Sequence, residues 1–234
     1  MKGKLYLIPI TLGESSIESV IPTDVVSKTV TIRHFIVENI RTTRRYLRIL
    51  DKSFPIDDTQ FLELNKHTTE AQIETYLKPI NDGFDMGVIS EAGVPGVADP
   101  GAAVVELAHK QNIQVVPFVG PSSILMSVMA SGLNGQNFAF NGYIPVKSNE
   151  RIKHLKYLEK KSIQEQQSQL FIETPYRNNA MLDDIYKACL PNTKLCIATD
   201  ITLSTEFIKT DTIQNWKKKK IDIKKRPTIF IIQG

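Results

Sequence analysis

The chain has 234 residues, 41% hydrophobic and 23% charged, an ordinary globular balance that argues against intrinsic disorder. No stretch approaches the roughly 18 apolar residues of a membrane span. Two cysteines, Cys189 and Cys196, are too few for a disulfide framework or a four-ligand zinc site. The net charge of +4 is local: "KKKKIDIKKR", Lys217–Arg226, holds seven of the 29 basic and one of the 25 acidic residues, leaving 22 basic against 24 acidic elsewhere.

The N-terminal "MKGKLYLIPITLGESS" sets two lysines before an apolar run. That run is short, is broken by Pro9 and lacks a small-residue cleavage site, so it reads as a first strand rather than a signal peptide. The expected protein is reduced, soluble and cytoplasmic. Its four scattered histidines offer no metal-ligand spacing, and no metal is expected.

Short apolar runs then alternate with helical patterns, the signature of parallel β/α units. "KLYLIPI" and "RHFIVEN" read as strands. "SSIESVIPTDVVSKTV" between them reads as two helical pieces broken at Pro22. "RTTRRYLRIL" is a basic helix with Tyr46, Leu47 and Leu50 on one face. "FLELN" is a short strand, "TTEAQIETYLKPI" a helix with a Thr cap, "DMGVIS" a buried strand and "GAAVVELAHKQN" a helix. "IQVVPFVG" is a further strand, and "SSILMSVMASG" a helix ending on Gly132.

Beyond about residue 135 the strands are "NFAFNGYIPV", "SQLFIET", "KLCIATDI", "TEFIKT" and "RPTIFIIQG". Helices near 149–161 and 177–190 separate the first three, and hairpin-like spacing separates the last three. The fold class is therefore α/β, with two α/β/α domains: a mainly parallel sheet in residues 1–120 and a mixed sheet in 121–234.

Two strand-to-helix junctions carry the chemistry. "VISEAGVPGVADPG", Val88–Gly101, contains three glycines and two prolines. It sits at the carboxyl end of a strand, where open α/β sheets bind ligands. Glycine lets backbone groups approach a small molecule, Pro95 fixes the approach, and Asp99 is expected to cap a helix beginning at Pro100. In "VVPFVGPSSI", Gly120 and Pro121 precede Ser122 and Ser123 in a related way. The pair reads as a main-chain ligand cradle or as two economical turns. Neither G-x-G-x-x-G after a strand nor G-x-x-x-x-G-K-[ST] occurs, which disfavours dinucleotide Rossmann domains and P-loop NTPases.

The order and spacing of "LYLIPITLGE", "VENIRTTRRYL", "SEAGVPGVADPG", "VVPFVGPSS", "ASGLNGQNFAFNGYIPVK" and "FIETPYR" resemble the tetrapyrrole methylase superfamily of S-adenosylmethionine-dependent methyltransferases. Within it the chain is most similar to the ribosomal RNA small subunit methyltransferase I family. The likeness spans roughly residues 4–178 and continues more weakly through "CIATDIT".

The resemblance implies a homodimeric two-domain enzyme with S-adenosylmethionine in a cleft between its domains. It places Pro9, Ala92, Gly93, Val94, Val97, Ser122 and Ser123 at the cofactor from the first strand's loop and the two junctions. It adds Glu173, Ile201, Pro227 and Thr228 from the second domain. Glu38 and Arg41 in "ENIR" fall at the family's acidic-then-arginine motif. Arg41, Arg44 and Arg45 are candidates for RNA phosphates, with Lys147 and Arg151 comparable at the mouth and Tyr176 and Arg177 for a base. Each also reads as a solvated or structural residue, and no catalytic base is assigned.

The chain departs from the pattern in three places. Glu91–Pro95, "EAGVP", stands for Asp-Ala-Gly-Thr-Pro, "ENIR" stands for "EDTR", and "KKRPTIFIIQG" replaces an ending that carries Lys-Gly-Glu. The leading expectation is methylation of RNA, at a ribose 2′-hydroxyl of small-subunit ribosomal RNA. The alternatives are methylation of a tetrapyrrole or other small molecule, and a non-catalytic RNA-binding protein using Lys217–Arg226.

Overall fold

The computed structural model describes residues 2–65 and 68–234, in two compact units, Met1–Ser122 and Ser123–Gly234. In the first unit the strands are β1 (Leu5–Leu7), β2 (His34–Val37), β3 (Gln60–Glu63), β4 (Met86–Ile89) and β5 (Val115–Pro117). The helices are α1 (Ile17–Val20), α2 (Thr23–Thr29), α3 (Ile40–Leu50), α4 (Glu70–Tyr76), α5 (Lys78–Asn81) and α6 (Gly101–Lys110). The interruption expected at Pro22 falls between α1 and α2, and Thr69 caps α4 reciprocally with Gln72.

All five strands are parallel, in the order β3-β2-β4-β1-β5. Alternation along each strand feeds two cores. Leu5, Ile36, Met86 and Val88 pack with Ile73, Leu77, Ile80 and Val104, which come from α4 to α6. Tyr6, Ile8, Phe35, Val37 and Ile89 pack with Tyr46 and Leu47 of α3 and with Phe54. Helices on both faces bury both sides of the sheet, which is why β4 reads as an unbroken apolar run.

The second unit contains α7 (Ser123–Ser131), β6 (Phe138–Tyr143), α8 (Ser148–Glu165), β7 (Ser168–Ile172), α9 (Asn178–Ala188), β8 (Lys194–Thr199), β9 (Phe207–Thr212), α10 (Ile213–Trp216) and β10 (Thr228–Gln233). The sheet order is β6-β7-β10-β8-β9, with β6 and β7 parallel and the other pairs antiparallel. The expected run of three hairpin-linked strands is half right. β8 and β9 form a hairpin, but β10 inserts between β7 and β8 instead of pairing with β9.

That long return exists because β10 is the most completely buried strand of the unit, with only Gln233 partly exposed. An apolar run of that kind needs neighbours on both edges. One face packs Phe171, Leu195, Ile197, Phe230 and Ile232 against Leu155, Leu158, Met181, Ile185 and Trp216, and α7 packs on the other. Cys189 and Cys196 are buried free thiols. Among the described residues no helix is long and apolar enough to cross a membrane.

Candidate functional site

In the first unit three adjacent strand ends converge, those of β4, β1 and β5. Beyond β1, Ile10 forms a two-way backbone bridge with Gly93: each amide donates to the other's carbonyl, at 3.0 and 3.1 Å. Gly93 has φ +68°, and a Cβ there would lie 3.0 Å from both Leu12 Cδ2 and the Pro121 carbonyl. Gly120 is tighter still, because a Cβ would come within 2.2 and 2.3 Å of the Pro9 ring. The glycines let these three loops close on one another. Buried Pro9 is fixed further by the Tyr46 hydroxyl, which donates to its carbonyl at 2.9 Å.

The β4 loop is held rigid by Asp99. Its carboxylate accepts from the Gly96 amide at 2.9 Å and the Gly101 amide at 2.7 Å. Asp99 therefore clamps the loop as well as the helix entrance, and α6 begins at Gly101, one residue later than expected. Ala98 is held at φ +64°, a left-handed conformation rare without glycine. Ala92 is exposed, Val94 half-buried and Val97 48% exposed, while the direction a Cβ would take from Gly96 is open. Ser122 ends this unit, and Ser123 opens the first turn of α7. Bare main chain, exposed apolar Val97 and the acids Glu91 and Asp99 surround this surface, and neither loop contains a Lys or Arg. That set fits a cationic ligand with apolar parts and suits a polyphosphate poorly.

Glu38 lies where β2 ends. Its Oε2 accepts from the Glu91 amide at 3.2 Å, and its own amide donates to the Ile89 carbonyl at 3.2 Å. Partial burial pushes its carboxyl above the ordinary value, reinforced by the charges of Glu91 and Asp99 and opposed by the Glu91 amide. In "ENIR", Asn39 caps α3 by accepting from the Thr42 amide at 3.1 Å. The helix exposes Arg41, Arg44 and Arg45. The Arg44 guanidinium sits 5.5 Å from the centre of the Phe61 ring, and Arg45 lines a groove with Thr11, Gly13, Tyr46 and Glu91.

In the second unit Glu173, Ile201, Pro227 and Thr228 also gather at one end of a sheet. Glu173 follows β7, Ile201 follows β8, and Pro227 and Thr228 lead into β10, whose Thr228 and Ile229 pair with Thr199 and Ile172. The Thr199 and Thr228 hydroxyls lie 3.0 Å apart, and the Asp200 amide donates to the Pro227 carbonyl at 2.9 Å. Pro227 is exposed, and Ile201 is buried. Lys147 is exposed with Glu150 3.5 Å away. Arg177 donates to Glu173 at 2.7 Å and keeps part of its side chain in solvent.

Arg151 corrects an expectation. It is 3% exposed, its Nε donates to Asp184 at 2.9 Å and its Nη1 to the Val146 carbonyl at 3.0 Å, so it is not at a surface where a phosphate could reach it. Asp184 and Asp200 were not singled out from sequence. Asp184 left a signal, since it lies among Met181, Leu182, Ile185 and Ala188 on the apolar face of α9, where an acid needs a partner.

The basic segment is pinned at several points and exposes most of its lysines. Asp222 accepts from Asn179, the Lys225 amide donates to the Pro175 carbonyl at 2.8 Å, and Arg226 Nε donates to Asp200 at 2.7 Å. Lys219 pairs with Asp211, while Lys217, Lys218, Lys220, Lys224 and Lys225 are exposed. Lys225 Nζ lies 5.9 Å from the centre of the exposed Tyr176 ring. Among the described residues no group of three or more His, Cys, Asp or Glu could hold a metal ion.

No protein-family model matches the chain. It is similar over its whole length to proteins named ribosomal RNA small subunit methyltransferase I. The Escherichia coli O157:H7 protein is 25% identical over 236 residues, covering 100% of this chain and 78% of that one. The protein from Buchnera aphidicola subsp. Schizaphis graminum is 28% identical, covering 99% and 79%. The Neisseria meningitidis serogroup B protein is 30% identical over 154 residues, covering 66% and 51%. Among solved structures, the methyltransferase CobJ superposes with a TM-score of 0.63 over 99% of this chain and 94% of that one, at 13% identity, and so shares the fold.

Proposed function

We propose that this chain, a methyltransferase related along its whole length to the ribosomal RNA small subunit methyltransferase I proteins, transfers a methyl group from S-adenosylmethionine to RNA. The acceptor is a ribose 2′-hydroxyl of small-subunit ribosomal RNA. The observation that carries the cofactor is the convergence of three strand-end loops whose main chain is bare, rigid and free of basic side chains. When bound, S-adenosylmethionine supplies a methyl group on a positively charged sulfur.

Pro9, Ala92, Gly93, Val94, Val97 and Ser122 are the proposed contacts in the first unit. Ser123, Glu173, Ile201, Pro227 and Thr228 are those proposed in the second. The work of the chain is to hold and align reactants and keep water away. A ribose hydroxyl must lose its proton as it attacks, and we propose that Glu38 accepts it. Glu38 lies where β2 ends, against the Glu91 amide of the β4 loop, and partial burial raises its carboxyl above the ordinary value, which makes its ionised form a stronger base.

Arg41, Arg44, Lys147 and Arg177 are proposed RNA contacts, with the lysines of 217–226 as the main electrostatic anchor. The reading includes a cytoplasmic homodimer, supported by Leu125 and Met129, which sit one turn apart on α7 and are 54% and 81% exposed. Sedimentation at twice the chain mass would support it.

Calorimetric titration tests the cofactor. Saturable binding of S-adenosylmethionine and S-adenosylhomocysteine, without binding of NADH, is expected. A folded protein that binds neither adenosyl compound would overturn the assignment.

A further inference from the structure

The first unit contains an open groove of about 640 Å³ between the loop that follows β1 and the helix α3. That volume lies within the range of about 300–1,000 Å³ usual for small-ligand sites. Thr42, Arg45, Tyr46 and Ile49 line it from α3, at the helical spacing that places side chains in one stripe, and Ile17 and Glu91 line it from the β1 and β4 loops.

The stripe is not finished as a solvated helix face would be. Ile49 is 58% exposed in the groove, although Tyr46 one turn before it is buried. Arg44 lies over the Phe61 ring and Arg48 donates to the Lys52 carbonyl at 2.7 Å, whereas the Arg45 guanidinium makes no hydrogen bond or ion pair among the described residues. Nor does the Glu91 carboxylate, so a cation and an acid line one groove without pairing with each other.

Such a groove is complementary to a ligand that combines an apolar face, an anion and hydrogen-bond donors. A nucleotide turned out of its stack carries all three: the face of its base, its phosphate, and the hydroxyl and amino groups of ribose and base. A polycarboxylate would meet one cation and the acids Glu14 and Glu91, a mismatch of charge. The position suits an acceptor, because the Glu91 amide donates to Glu38 at 3.2 Å.

We propose that this groove holds the acceptor nucleotide of the RNA, with its base on the surface of Ile17, Tyr46 and Ile49, its phosphate at Arg45 and its donors facing Glu91. This rests on the RNA reading above and adds to it the place where the reacting nucleotide is received.

The test uses a fragment of small-subunit ribosomal RNA that the wild type methylates, and the same fragment with the base removed from the methylated nucleotide. Affinities are read by fluorescence anisotropy over a range of salt for the wild type, Ile49→Ser, Arg45→Gln and Arg45→Lys, with melting temperatures alongside. Removing the base weakens wild-type binding about tenfold, the scale of stacking one base. Ile49→Ser weakens binding of the intact fragment about fourfold, the scale of one buried methylene, and leaves the abasic fragment unaffected, because the two changes remove the same contact. Arg45→Gln weakens both fragments alike and lowers the slope of log affinity against log salt by about 0.7, one phosphate contact on a single strand, and Arg45→Lys restores that slope. All three variants bind S-adenosylhomocysteine as the wild type does.

Equal losses on both fragments in Ile49→Ser, or none, would overturn the base site. A wild-type salt slope in Arg45→Gln would overturn the phosphate contact, and loss of S-adenosylhomocysteine binding in these variants would assign the groove to the cofactor instead. A wild type that methylates no RNA removes the RNA reading itself, an outcome distinct from variants that behave as wild type on an RNA that is methylated.

Discussion

Gly120 carries a constraint that can be tested alone. Its missing Cβ leaves room for the Pro9 ring, which a methyl group would meet at 2.2 Å. Gly120→Ala should destabilise the first unit by about 1–3 kcal/mol, the usual cost of overpacking, read as a lower urea midpoint with an unchanged slope. Glu38 makes a different prediction. Glu38→Gln should bind S-adenosylhomocysteine as the wild type does while kcat falls by roughly 10²-fold or more, the range for losing a general base. Equal kcat would remove Glu38 from proton transfer. The prominence of both residues was legible in the chain, since proline and glycine at strand ends and an acid before a basic helix are local signals. The fate of Arg151 was not. Its partner Asp184 lies 33 positions away, and no local pattern distinguishes a buried arginine from one at a cleft mouth.

The elements were mostly readable because their signals are periodic: the break at Pro22, the Thr69 cap and the apolar β4 all appear where the pattern puts them. The placement of β10 was not readable, because pairing across 29 or more residues leaves no local trace in a strand that reads the same wherever it inserts. "ENIR" shows how an element keeps its start without an acid at the cap: Asn39 supplies the α3 cap that an Asp would supply. The α8–α9 layer predicts a pH dependence. Burial alone would raise the carboxyls of Glu173 and Asp184, but Arg177 with the Thr174 amide, and Arg151 with Ser148, hold both below their ordinary values of 4.5 and 3.8. Lowered carboxylates stabilise the fold above those values and lose that contribution as pH falls through the folded-state ones. The second unit should therefore weaken in acid from about pH 4.5 downward. Denaturation midpoints of D184N, measured at a series of pH values, should show a shallower acid limb than the wild type. A limb of unchanged slope would contradict the assignment.

At the scale of the molecule, the positive charge is concentrated in one place. Most of its surface balances, and one pinned segment exposes Lys217, Lys218, Lys220, Lys224 and Lys225. Replacing Lys217, Lys218 and Lys220 with Glu should weaken RNA binding and reduce the slope of log affinity against log salt by about 2–3, one counterion per lost phosphate contact. Melting temperature should hardly change, because these side chains are exposed. Unchanged binding would move the RNA contact to Arg41 and Arg44.

The central claim, methyl transfer to RNA, is tested most directly by incubating the protein with methyl-labelled S-adenosylmethionine and unmodified small-subunit ribosomal RNA, then hydrolysing the RNA in alkali. The account predicts label in the RNA, recovered in an alkali-stable dinucleotide because a methylated 2′-oxygen cannot attack its neighbouring phosphate. RNA that stays unlabelled with folded protein would contradict it.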